Sequence, residues 1–135
     1  LKQKSDDYLN NDFETRRLIG QQISNTAKDK RINFVWSKKT DIIANSCNYI
    51  SAEETSLEIM HIILNSSVIN WRFKITSTNN HINNYELDDL PVLDFDQIDL
   101  NHFSESFSEN DTKICKLFGL SEKETQYIMN LNKDD

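Results

Sequence analysis

Polar and apolar positions change period three times along this chain. Residues 1–14 are polar, with scattered Tyr8, Leu9 and Phe13 and no period, which predicts an irregular N-terminal tether. Between 15 and 50, short runs rich in β-branched and aromatic residues recur at 18–23, at 32–36, and at 42–44 leading to Tyr49 and Ile50. Polar breaks at 24–26 and 37–41 separate them, a pattern that predicts an antiparallel meander. From 55 to 73 the period lengthens: Leu57, Met60, His61, Leu64, Val68 and Trp71 recur at three- and four-residue steps, with Thr55 or Ser56 placed to cap a helix.

A polar loop at 76–81 follows, then residues 82–87 predict a further strand that Pro91 stops, because proline lacks an amide donor and holds its predecessor extended. An acidic linker at 94–111 leads to two short helices, 112–118 and 122–129, divided by Gly119. Ser121 and Glu124 have the spacing of a capping box. The expected architecture is α+β: a strand-rich N-terminal half, one long central helix and a small helical C-terminal end, with 1–14 as tether and 15–135 as one domain.

Charge changes this picture more than composition does. The net charge is −7, yet residues 1–81 hold 11 Lys/Arg against 9 Asp/Glu, and residues 82–135 hold 4 against 13. Within 16–39 seven cations face Asp29 alone, a local field of +6 able to attract a polyanion in spite of the acidic total. No run approaches the roughly 20 apolar residues of a membrane span, so no membrane partner is expected. Cys47 and Cys115 stand alone, without zinc or disulfide-scaffold spacing, which predicts reduced thiols and a cytoplasmic location. The chain opens at Leu1 with neither a signal-peptide nor a transit pattern, and is expected to be a piece of a longer protein.

Two stretches carry a resemblance. Ile62-Ile63-Leu64-Asn65-Ser66-Ser67-Val68-Ile69-Asn70-Trp71-Arg72-Phe73-Lys74 is followed by Tyr85-Glu86-Leu87-Asp88-Asp89-Leu90-Pro91-Val92, and Ile114-Cys115-Lys116-Leu117-Phe118-Gly119-Leu120-Ser121-Glu122 comes later in the same order. Together they resemble the target-recognition domain of Taq-type adenine-specific DNA methyltransferases and single-chain type II restriction-modification enzymes, over about residues 15–130. The resemblance implies a module that selects a double-stranded DNA site. A methyltransferase domain of the same parent chain would bind S-adenosylmethionine, flip the adenine and methylate it, and some relatives also cleave DNA.

Two departures bound that expectation. The family's Asn/Asp-Pro-Pro-Tyr/Phe motif needs consecutive prolines, whereas Pro91 is the only one here, and with two glycines there is no glycine-rich cofactor loop. The chain is therefore expected to be non-catalytic, with no cofactor of its own. Asp94-Phe95-Asp96 pairs two acids, but no Glu-x-Lys follows at nuclease spacing.

The residues that could meet DNA follow from charge and hydrogen-bonding chemistry. Arg16, Arg17, Lys28, Lys30, Arg31, Lys38 and Lys39 are candidates for phosphate contacts; the alternative is an ordinary solvated hairpin face. Asn79, Asn80 and His81 in the 76–81 loop are candidates for base edges, or else form a polar turn without a ligand. Arg72 and Lys74 are candidate contacts beside Trp71 and Phe73, which are expected in the core. Asn65 and Ser66 read as architectural, and His61, His81 and His102 are too scattered for a metal site. The competing function is a protein–protein module in which the acidic 82–135 segment docks onto a parent or partner subunit.

Overall fold

A computed structural model describes residues 15–131. The fold is α+β, with a three-stranded antiparallel sheet beside five helices among the described residues. The strands are β1 (Leu18–Gln21), β2 (Phe34–Trp36) and β3 (Cys47–Ile50). β1 is central, pairing Leu18 with Trp36 on one side and with Ile50 on the other. A simple meander would centre the second strand. The first strand takes that place because Leu18 and Gly20 are both buried, and an added Cβ at Gly20 would meet the Phe34 ring at 3.0 Å. Residues 42–44 form no strand: Ile42 is 88% exposed in the loop before β3.

The expected long central helix is two helices, α1 (Glu54–Leu64) and α2 (Ser67–Thr76). Apolar period alone does not show the break, because the buried face continues across it through Ile63, Val68, Ile69 and Phe73. Asn65 and Ser66 make it. Ser66 turns to extended backbone, its Oγ donates to Ile63 O at 2.6 Å, and the same oxygen accepts from Ile69 N at 3.4 Å to cap α2. Asp111 adds a carboxylate at that helix start, accepting from Ser67 N at 2.7 Å and from Ser67 Oγ at 2.5 Å.

Asn65 also substitutes for a missing strand. Its Oδ1 accepts from Phe34 N at 2.8 Å and its Nδ2 donates to Phe34 O at 2.9 Å, satisfying both backbone groups of one edge residue. Asn70 does the same just upstream: Oδ1 accepts from Arg31 N at 2.8 Å and Ile32 N at 3.2 Å, and Nδ2 donates to Asp29 O at 2.6 Å. Two buried carboxamides thus fasten α1 and α2 to the segment that enters β2.

Downstream, residues 82–87 depart from the expected strand. Ile23 and His81 form an isolated antiparallel bridge, Ile82 is buried, and α3 (Asn84–Asp88) begins at Asn83, whose N–H donates to Glu86 Oε2 at 3.0 Å. Asparagine followed three residues later by glutamate outweighs a single buried isoleucine. The acidic 94–111 stretch is structured: Asp94 and Asp99 accept from Asp96 N and Asn101 N, each at 3.0 Å, and start single 3-10 turns. α4 (Phe107–Leu117) begins earlier than its apolar period suggests, capped by Ser106. α5 (Glu122–Leu131) opens on the expected capping box, with Ser121 N to Glu124 Oε1 at 3.0 Å and Glu124 N to Ser121 Oγ at 3.2 Å. Gly119, at φ 84°, takes the left-handed turn between them.

Leu18, Ile32, Leu57, Ile63, Ile69, Phe73, Ile114 and Ile128 form one core that joins the sheet to all the long helices. Fully burying each such side chain contributes about 1.5–3 kcal/mol, which is why the C-terminal helices belong to the domain and are no appendage. Cys115 lies inside this core, and burial beside Asp111 raises its thiol to about 11, too high for a thiolate nucleophile at neutral pH. Both cysteines are free thiols. No helix among the described residues is long and apolar enough to cross a membrane.

Candidate nucleic-acid interface

The turn after β1 and the loop after α2 meet, although the residues that touch lie 54 apart in sequence. Asn25 shapes the turn: its Oδ1 accepts from Ala27 N at 2.9 Å and its carbonyl from Lys28 N at 3.0 Å. Asn80 joins the two segments, its carbonyl accepting from Ser24 N at 2.7 Å and its Oδ1 from Thr26 N at 2.9 Å. Ile82 N donates to Gln22 O at 2.6 Å below them.

Arg31 is the rivet. It is 4% exposed, and its guanidinium donates to Ser77 Oγ at 2.7 Å, Ser24 O at 3.0 Å and Asn79 O at 2.7 Å, with the Phe73 ring centroid 5.0 Å away. Burial pulls its pKa below the usual arginine value, with Glu86 opposing at longer range. No carboxylate pairs with it among the described residues.

The two joined loops carry exposed Lys28 on one side and exposed Asn79, Asn80 and His81 on the other. Asn79 Oδ1 accepts from His81 N at 2.8 Å, and His81 Nδ1 lies 2.9 Å from Asn83 Oδ1, a contact that engages one ring nitrogen of the exposed imidazole. Asn80 keeps its Nδ2 donors after Oδ1 is used. Lys74 crosses the base of the turn, with Nζ 3.3 Å from Asp29 O. Arg72 is half-buried and donates to Thr76 Oγ1 at 3.3 Å within its own helix.

The remaining candidates are elsewhere. Lys38 and Lys39 are exposed at the opposite end of the sheet, on a turn in which Thr40 has φ 63°. Arg17 is fully buried and ties that turn down, donating to Lys38 O at 3.3 Å and Asp41 O at 3.1 Å. Arg16 pairs with Glu54, lies 3.9 Å from Glu58, and stacks 3.6 Å from the Trp36 ring centroid. Lys30 lies 4.7 Å from the Phe107 ring centroid. These two cations border a groove of about 810 Å³, where His61 stacks on Trp36 at 5.4 Å. Burial, then Lys30 and Arg16, depress the His61 pKa and favour the neutral ring.

The expected strip of seven phosphate contacts therefore divides. Arg17 and Arg31 are corrected to internal fasteners, because a guanidinium buried among carbonyls cannot reach a phosphate without dismantling its loop. Trp71 is half-buried and Phe73 is core, as their helix positions suggest. Ser24, Ser77 and Asn70, which build the junction, carried no charge signal. Asn70 was legible only as a second asparagine five residues after Asn65.

Among the described residues no group of three or more His, Cys, Asp or Glu could hold a metal ion. Comparison with known proteins finds no matching family model, no matching curated protein and no matching solved structure.

Proposed function

We propose that this chain is the DNA-recognition module of a larger adenine-specific DNA methyltransferase or restriction-modification enzyme, and that it reads duplex DNA with the joined 24–31 and 76–81 loops. The observation that carries this reading is the junction itself: one buried arginine holds together two loops, one carrying exposed Lys28 and the other exposed Asn80 and His81. Lys28 neutralises a phosphate and sets position, while the Asn80 amide and His81 Nε2 meet base edges in the major groove. The chemistry on the flipped base belongs to a catalytic domain of the parent, which would supply the S-adenosylmethionine site. Lys38 and Lys39, at the far end of the sheet, serve as a secondary electrostatic contact.

The test is duplex binding across a salt series. Three to four phosphate contacts give a slope of log K against log salt of about −3. A flat response removes Lys28 and its neighbours from any role on DNA.

A second reading has its own support. Tyr127, Leu131 and Leu117 are 62%, 44% and 38% exposed on the C-terminal helices of the acidic 82–135 segment, apolar enough to face another protein surface. Tyr127→Asp would abolish association with a partner under that reading and leave DNA binding unchanged under the first.

A further inference from the structure

Ile23 and His81 are the two members of an isolated antiparallel bridge. The flanking bonds, Ser24 N to Asn80 O at 2.7 Å and Ile82 N to Gln22 O at 2.6 Å, close around the pair, which makes it the non-hydrogen-bonded kind. Residues opposed in this way put their side chains on one face, with Cβ atoms about 4.5–5.5 Å apart. Ile23 is 65% exposed, so a branched apolar side chain stands in water beside the exposed imidazole of His81. The contacts around the ring define which nitrogen can accept. Asn83 Nδ2 lies 3.3 Å from Glu86 Oε2 and 3.5 Å from the Tyr85 hydroxyl, so Asn83 Oδ1 is the acceptor for His81 Nδ1. In the neutral imidazole Nδ1 then carries the hydrogen and Nε2 is an acceptor. His81 Nε2 has no hydrogen-bond partner among the described residues.

We propose that Ile23 and His81 together read one A·T pair in the major groove, His81 Nε2 accepting from the adenine N6 amine and Ile23 covering the thymine 5-methyl group. An A·T pair sets an amine donor and a methyl on the same major-groove edge, whereas a G·C pair offers an amine and no methyl. A hydrogen-bond acceptor beside a branched apolar side chain is the complement of the A·T edge. The assignment rests on the DNA-recognition reading, and it adds to that surface a specificity residue with neither charge nor hydrogen-bonding group.

The experiment measures binding of the whole chain to the duplex it selects from a randomised pool, with each thymine replaced in turn by deoxyuridine, which lacks the methyl group. The same series is run with Ile23→Ala; because Ile23 is exposed and bridges through its backbone, that variant keeps its fold. One thymine is expected to matter. Its deoxyuridine form binds about fourfold more weakly, the effect of one buried methyl, and Ile23→Ala abolishes that difference. The same base pair is the one at which His81→Ala relaxes selection. Three results, each with duplex selection retained, overturn the paired reading and leave DNA recognition standing: indifference to deoxyuridine at every position, an equal loss in Ile23→Ala, or a methyl effect at a pair that His81 does not read. A chain that selects no duplex from the pool ends both.

Discussion

Arg17 and Arg31 are both buried, and both donate to backbone carbonyls at opposite ends of the β1–β2 pair. They differ in what they hold. Arg17 ties down one turn, through Lys38 O and Asp41 O, and its own backbone exchanges bonds with Ser37. Arg31 holds two segments distant in sequence, Ser24 on one side and Ser77 with Asn79 on the other. The same side chain, buried the same way, shapes a local turn in one place and creates a composite surface in the other. Positive charge in the sequence therefore marked two anchors, and only the connectivity of each anchor separates a candidate interface from a structural clip.

Arg31→Ala is expected to have the largest effect, lowering stability by about 3 kcal/mol because three acceptors lose a charged donor together. Amide exchange should quicken in both 24–28 and 77–82, and protection confined to one segment would break the comparison. Asn70→Ala should cost about 2 kcal/mol in urea unfolding, since the Arg31 and Ile32 amides lose their acceptor and the Asp29 carbonyl loses its shorter donor. Arg17→Ala should cost about 1.5 kcal/mol, with faster exchange limited to 38–41.

His61 sharpens the contrast through pH. Its folded pKa lies below its ordinary 6.5, so the unfolded chain takes up the proton first. The stability it contributes is full above that value and declines as pH falls through the folded pKa; His61→Gln should flatten this part of the urea-midpoint curve. Lys28→Ala should change stability by less than about 0.5 kcal/mol while reducing the salt slope of DNA binding by about 1. The Lys38→Ala, Lys39→Ala pair should change that slope less than Lys28→Ala does.

Much of the fold was legible where local chemistry and period agree. The Ser121–Glu124 box, the glycine turn at 119 and the runs ending at Trp36 and Ile50 all appear in the structure. The break at Asn65 and Ser66 was hidden because the apolar stripe runs on across it, and the cue lay in polar residues whose partners are distant in sequence. The helix at 84–88 is obscured for the opposite reason: its capping pair sits beside one buried isoleucine that suggests a strand. Of the candidate site, exposed Lys28 and the 79–81 loop could be named from composition. That they adjoin could not, since Ser24 and Asn80 make the junction through backbone groups and Ser77 through a neutral hydroxyl, none of which a charge or hydropathy pattern records.

The central claim is that this junction reads base sequence. Selection from a randomised duplex pool, with His81 intact and with His81→Ala, tests it most directly. The account expects enrichment of a short motif that relaxes by about tenfold at one position in His81→Ala, the discrimination of a single good base contact. Binding without enrichment, or an enriched motif indifferent to His81, Asn80 and Lys28 alike, would contradict it.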